Sequence, residues 1–319
     1  MNNMWGSTAQ FDAIYWPWPI AIYLFLAGLS AGSIMVALLV KWNKHEDNAN
    51  SIWDAMVKAG AIIGPVTICL GLLLLIIDLG KPLSFYWLLI TYNITSVMSI
   101  GVIFLLAYTP FAFLFAMMIF EKEIEQYKIF AVLRPLTKFI RSFAKISKNI
   151  EYILFVLAIC VAMYTGFLLG AIEKIPLWNT PILPILFLVS GFSSGIAANI
   201  LIGMLFFKGS LNKDSIKYLL VLDLRAILFE IPLLIILFLG LYLGGAKEFA
   251  NLALSDTFYG TVFWIGVVFV GLFLPVLIAA TALKNHAYKP LYIVINSLVV
   301  LVGVIILRYY VVYGGQALI

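Results

Sequence analysis

"YLLVLDLRAILFEIPLLIILFLGLYLG", residues 218–244, is apolar enough to cross a bilayer, yet it carries Asp223, Arg225 and Glu230. The hydrocarbon core, about 30 Å thick, takes roughly 20 helical residues. A charge near its centre costs about 3 kcal/mol on insertion scales. A span that keeps three charges puts them to a use that leucine cannot serve.

The rest of the sequence is of the same kind. It is 64% hydrophobic and 11% charged over 319 residues, with a mean hydropathy of +1.09. Soluble domains carry about 25% charged residues. Eight apolar runs are long enough to span: about 17–40, 55–78, 94–120, 150–171, 181–207, 217–244, 259–283 and 291–313. The fold class is an all-α integral membrane protein with eight transmembrane helices.

Basic residues alternate sharply between the connections. Those after the first, third, fifth and seventh runs hold Lys41, Lys44, every Lys and Arg from Lys122 to Lys148, Lys208, Lys213, Lys217, Lys284 and Lys289. The opposite side has Lys81, Lys174 and Lys247. The positive-inside rule then puts both termini on the periplasmic side. A cysteine at position 48 or 212 should be cytoplasmic, and one at 250 external. The net charge of +5 belongs to these loops and is no nucleic-acid footprint. The N-terminus "MNNMWGSTAQFDAIYW" lacks the basic n-region of a cleavable signal. The long basic connection 121–149 reads as a topological anchor or as an amphipathic helix on the inner leaflet.

"LFLAGLSAG" (24–32) and "LFLVSGFSSG" (186–195) echo one another, each with a GxxxG step, Gly28/Gly32 and Gly191/Gly195. Such steps let helix backbones approach closely. The echo suggests two four-helix bundles in parallel orientation. The first comprises residues 1–149 completed by the helix at 150–171; the second lies within 150–319.

Cys69 and Cys160 fall inside apolar runs and read as small core residues. An iron–sulfur or zinc set needs about four clustered ligands. His45 and His286 lie in polar connections, so neither is placed as a haem ligand within a helix. Any redox role must work without haem, iron–sulfur or metal on the protein's own side chains.

With this topology, Tyr23, Asp78, Tyr164 and Arg308 lie near the outer face. Ser193, Ser194 and Glu230 lie at middle depth, and Asn199, Asp223, Arg225 and Asn296 lie deeper. Asp223 and Glu230 are seven residues apart, hence on one helix face and about 10.5 Å apart along its axis. That spacing suits two stations of a water-bridged proton path; a buried pair that fixes packing is the other reading. Arg225 faces differently and can snorkel, as can Arg308. Asp78, in "IIDLGKP", can be an interfacial turn residue. Trp5, Trp16, Trp18, Tyr86, Trp87, Trp178, Tyr309, Tyr310 and Tyr313 read mostly as an aromatic belt.

"WPWPIAIYLFLAGLSAGS", "DLGKP", "YTGFLLG", "PILFLVSGFSSG" and the late Arg308 resemble the NrfD-like family across nearly the whole sequence. The resemblance implies a haem-free anchor that oxidises menaquinol, bound as substrate. It also implies partners on the periplasmic side: a four-cluster iron–sulfur subunit, and a molybdenum (bis-pterin) subunit that reduces the acceptor. By the same resemblance the quinone head group is held between Tyr23 and Tyr164, and Asp78, Asp223, Glu230 and Arg308 handle charge and protons. Some relatives have His at the first of these positions and Asn three residues earlier, where this protein has Tyr23 and Ile20. Polysulfide or elemental sulfur is the expected acceptor. Thiosulfate, tetrathionate and nitrite stay open, because acceptor chemistry belongs to the partner. The residues alone also fit a proton-coupled secondary transporter built from two halves with intramembrane acids.

Overall fold

The computed structural model describes residues 16–43, 51–79, 81–93, 95–126, 147–207, 213–284 and 289–318. Among them eight helices are long and apolar enough to cross a membrane. They are α1 (Trp18–Asn43), α2 (Ile52–Asp78), α3 (Val97–Ile119), α4 (Ser147–Gly170), α5 (Ile182–Phe207), α6 (Lys213–Leu243), α7 (Phe258–Lys284) and α8 (Pro290–Gln316). His45, His286, positions 48 and 212, and most of the basic connection 121–149 lie outside the described residues.

The backbone becomes helical in these runs because hydrocarbon offers no partner for an N–H or C=O. Proline is tolerated inside α2, α3 and α6, at Pro65, Pro110 and Pro232. α3 begins at Val97, later than the apolar run suggests. The "KPLSFYW" segment instead makes a short turn, Pro82–Ser84, and a helix, Trp87–Ile90, whose large side chains are exposed. α6 begins about one turn earlier than expected, with Asp214 in its first turn facing the positive end of the helix dipole.

α1 and α5 are the most buried spans and α3 is among the least. α1 packs on α2, α4 and α5, with α3 bridging α2 and α4. α5 packs on α6 and α8, with α7 between those two. α5 also touches α2 and α4, and α8 touches α1. The two GxxxG steps meet each other where α1 crosses α5. A Cβ on Gly32 would collide with the Gly191 carbonyl, and one on Gly195 would collide with the Gly32 carbonyl carbon. Both obstacles are backbone and cannot turn aside. Gly32→Val should therefore pry the central crossing apart, at a cost of about 3 kcal/mol, the upper end for overpacking, because the obstacle is backbone. The expected result is little folded protein in the membrane, read by quantitative blotting and fluorescence-detected size exclusion. Normal amounts of monodisperse Gly32→Val would overturn this account of the crossing.

The two ends of the described structure are tied together. The Trp16 backbone N–H donates to Gln316 Oε1 (2.6 Å), and Gln316 Nε2 donates to the Trp16 carbonyl (3.1 Å). Trp178, expected in the aromatic belt, is instead fully buried. Its indole N–H donates to the Val311 carbonyl at 2.7 Å, and Gly315 leaves room for the ring. It latches the α4–α5 connection onto the end of α8. Tyr310 is likewise buried, whereas Trp18, Tyr86 and Trp87 are exposed as a belt requires. At the opposite end Lys41 pairs with Glu151 at 2.7 Å, and Trp42 Nε1 donates to the same carboxylate at 2.8 Å. Cys69 is exposed and Cys160 half-buried, so Cys69 is no core residue. At its position on α2 the apolar side chain faces outward, which composition alone does not reveal.

Candidate functional site

α8 carries Arg308 into the centre of the protein, where it is 1% exposed. It does not snorkel. Its guanidinium lies over the Phe187 ring of α5, 3.6 Å from the centroid, and Nη2 donates to the Phe187 carbonyl at 3.0 Å. Gly28 of α1 clears the space, since a Cβ there would lie 3.4 Å from Nη2. Nε and Nη1 have no hydrogen-bond partner. A buried cation thus offers two unused donors at the α1–α5–α8 junction.

Glu230 of α6 is buried beside it, with Oε1 unpartnered. The Glu230 and Arg308 charges interact electrostatically, yet no ion pair within 4.0 Å joins them among the described residues. Glu230 borders a small void with Val267, Gly271, Gly303 and Leu307. Here α7 is wound as a π-helix, Val262–Phe273, and a Cβ on Gly303 would collide with Gly271 Cα. Glycines bring α7 and α8 together beside the acid, and π-helical turns are frequent at functional sites.

Asp223, two turns away on the same face of α6, accepts a short hydrogen bond from Asn296 of α8 through Oδ2. Its Oδ1 has no partner. Asp223 and Glu230 also interact electrostatically. An acid, a second acid and a cation therefore stand in sequence through the α5–α6–α8 interior, none of them closed into a contact ion pair.

Tyr23 and Tyr164 occupy another part of the interior. Tyr23 is fully buried and its hydroxyl has no partner. Its ring lies against α2, where a Cβ on Gly71 would be 3.2 Å away. Tyr164 of α4 reaches across to α3, and a Cβ on Gly101 would run into its ring at Cζ. The two phenols are near enough to interact electrostatically. Leu72 and Val102, the residues after those glycines, line an apolar groove of about 340 Å³ between α2 and α3.

Asp78 ends α2, half-buried. No hydrogen bond or ion pair joins it to Arg308 or to either tyrosine among the described residues. An acid at a helix C-terminus opposes the dipole, so helix stability does not account for it.

Ser30 and Tyr108 form a further buried polar contact that no motif announces. Ser30 Oγ donates to the Gly64 carbonyl at 2.6 Å and stands 2.8 Å from the Tyr108 hydroxyl. A tyrosine in the middle of an apolar run, away from either interface, was the available signal. Asn199, which sequence placed at depth, donates to the Ser33 carbonyl at 2.9 Å. Among the described residues no group of three or more His, Cys, Asp or Glu stands together as a metal site.

Fold and interior together define a multi-pass helical membrane protein with buried, partly unpartnered phenols, acids and a guanidinium. The protein belongs to the family described as "Polysulphide reductase, NrfD", whose match covers residues 6–319. It is an integral protein of the bacterial inner membrane. It is similar to the C subunit of polysulfide reductase from Wolinella succinogenes, 48% identical over 318 residues, or 99% of each protein. It is also similar to "Protein NrfD homolog" of Haemophilus influenzae, 37% identical over 95% of each. "Protein NrfD" of Escherichia coli is 33% identical over 97% of this protein and 98% of that one.

Proposed function

We propose that this protein is the membrane subunit of a respiratory reductase complex of the polysulfide or sulfur type, and that it oxidises menaquinol. The reading is carried by one observation: the Tyr23 hydroxyl, fully buried without a partner, beside Tyr164. An unsatisfied buried donor costs about 1–3 kcal/mol, a cost that a bound quinone oxygen would remove. The family match and the similarity to a polysulfide reductase subunit support it.

In this reading the eight helices form two four-helix bundles with both termini periplasmic, and the tyrosines lie toward that side. Tyr23 and Tyr164 hydrogen-bond the head-group oxygens while the apolar groove takes the isoprenoid tail. Oxidation of one quinol releases two electrons and two protons. The electrons pass to a four-cluster iron–sulfur partner and then to a molybdenum (bis-pterin) partner. The protons pass to the protein's interior groups, with Glu230 and Asp223 as carriers and Arg308 stabilising the charge near them. Asp78 serves the outer end of the same traffic.

The test is purification of the native complex with this subunit tagged. A multi-cysteine iron–sulfur protein and molybdenum should co-purify, and menaquinol should reduce polysulfide. Solute uptake by the protein alone, with no redox partner, would favour a transporter instead. Topology is checked by cysteine labelling at Asn251, which is exposed, because Ala250 is buried. External labelling is expected; cytoplasmic labelling would invert the whole arrangement.

A further inference from the structure

Of the charges on α6, Asp223 and Glu230 face the interior, but Arg225 does not. It lies on an outward stripe, Tyr218–Leu222–Arg225–Phe229, whose i, i+4, i+7, i+11 spacing is one helix face. It is exposed and makes no hydrogen bond or ion pair with any described residue. Beside it opens an apolar recess of about 420 Å³ where α1, α4, α5 and α6 meet, walled by Met35, Phe155, Ile159, Phe192 and Phe229. Arg225 is the one charged group on that wall among the described residues.

We infer that this recess binds one anionic phospholipid, its acyl tail in the apolar cleft and its phosphate on the Arg225 guanidinium. Arg225 lies roughly 12 Å along the helix from Lys217, so an extended side chain reaches back toward the headgroup level of that leaflet. A guanidinium engages phosphate through two parallel donors, which a lysine ammonium does not. The cleft and the cation together match the two halves of a phospholipid. A purely apolar occupant would leave the guanidinium without an anion. The bound lipid would fill the gap across which α6 faces the first-half helices α1 and α4.

The experiment uses the purified full-length protein, washed in detergent and then given phosphatidylglycerol or phosphatidylcholine. Bound lipid is counted by native mass spectrometry, and thermal stabilisation is followed in parallel. Wild type should hold one phosphatidylglycerol in preference to phosphatidylcholine and gain melting temperature from it. Arg225→Gln should bind it about ten-fold or more weakly, as loss of a charge-assisted pair implies, with Arg225→Lys in between. Neutralising an outward charge eases membrane insertion, so the variant should be made normally. Equal retention of both lipids by wild type, or unchanged phosphatidylglycerol binding in Arg225→Gln, would overturn the assignment. A dimer that Arg225→Gln dissociates, with no lipid retained, would give the recess to a second copy and also overturn it.

Discussion

Tyr23→Phe should lower menaquinol-dependent turnover of the complex about 10- to 100-fold while leaving the protein as stable as before, or slightly more so. The two effects have one cause. The hydroxyl is buried and meets no protein acceptor, so deleting it removes an unsatisfied donor and breaks no contact. Phe keeps the ring that packs on Gly71. A hydroxyl that served only the fold would have a partner, and its loss would cost about 1 kcal/mol. If the hydroxyl instead binds substrate, the loss falls on quinol binding and turnover, by about 1–3 kcal/mol. Tyr164→Phe should behave alike, since the clash surface at Gly101 follows the ring more than the oxygen. Acceptor reduction from an artificial dye donor, which bypasses the quinol, should be retained in both variants. Loss of dye-driven activity too would mean failed assembly. Full quinol turnover in both variants would remove the tyrosines from the site.

Much of the fold was legible because membrane insertion imposes a rule on sequence. Each span must be apolar for about 20 residues, and the runs at 17–40 and 181–207 mark α1 and α5 within a few residues. The glycine steps were legible for the same reason: few residues but glycine allow the backbone contacts seen between Gly32 and Gly191. Which side of a helix faces lipid was less legible, since both sides of such spans are apolar. Cys69 and Trp178 were therefore misplaced in opposite directions. Arg308 shows the limit best. Its position near a helix end permits snorkelling, and its burial depends on Phe187 and Gly28, two residues on other helices. The Ser30–Tyr108 bond likewise joins residues 78 apart in sequence. Partnership across helices cannot be read from such runs.

Glu230→Gln separates proton transfer from packing. Gln keeps the size of Glu and can still donate and accept hydrogen bonds, but it cannot carry a proton to the next station. With Glu230 as carrier, turnover should fall by about 100-fold or more, the usual scale for a lost acid–base group. Quinol affinity should change little, because the phenols lie in another part of the interior. Asp223→Asn should do the same less severely, and Asn296 can still hydrogen-bond the amide oxygen. The packing alternative forecasts a different loss. Removing one member of a buried ion pair costs about 3–5 kcal/mol, and the complex would vanish from the membrane. The geometry argues against so large a structural cost. Glu230 and Arg308 are not in contact, and Arg308 is held independently by the Phe187 carbonyl and ring. Assembled Glu230→Gln complex should therefore reach normal amounts, measured by blotting beside its turnover. Normal amounts with normal turnover would exclude both roles. Slow turnover at normal abundance would leave proton transfer as the reason α6 keeps a buried acid.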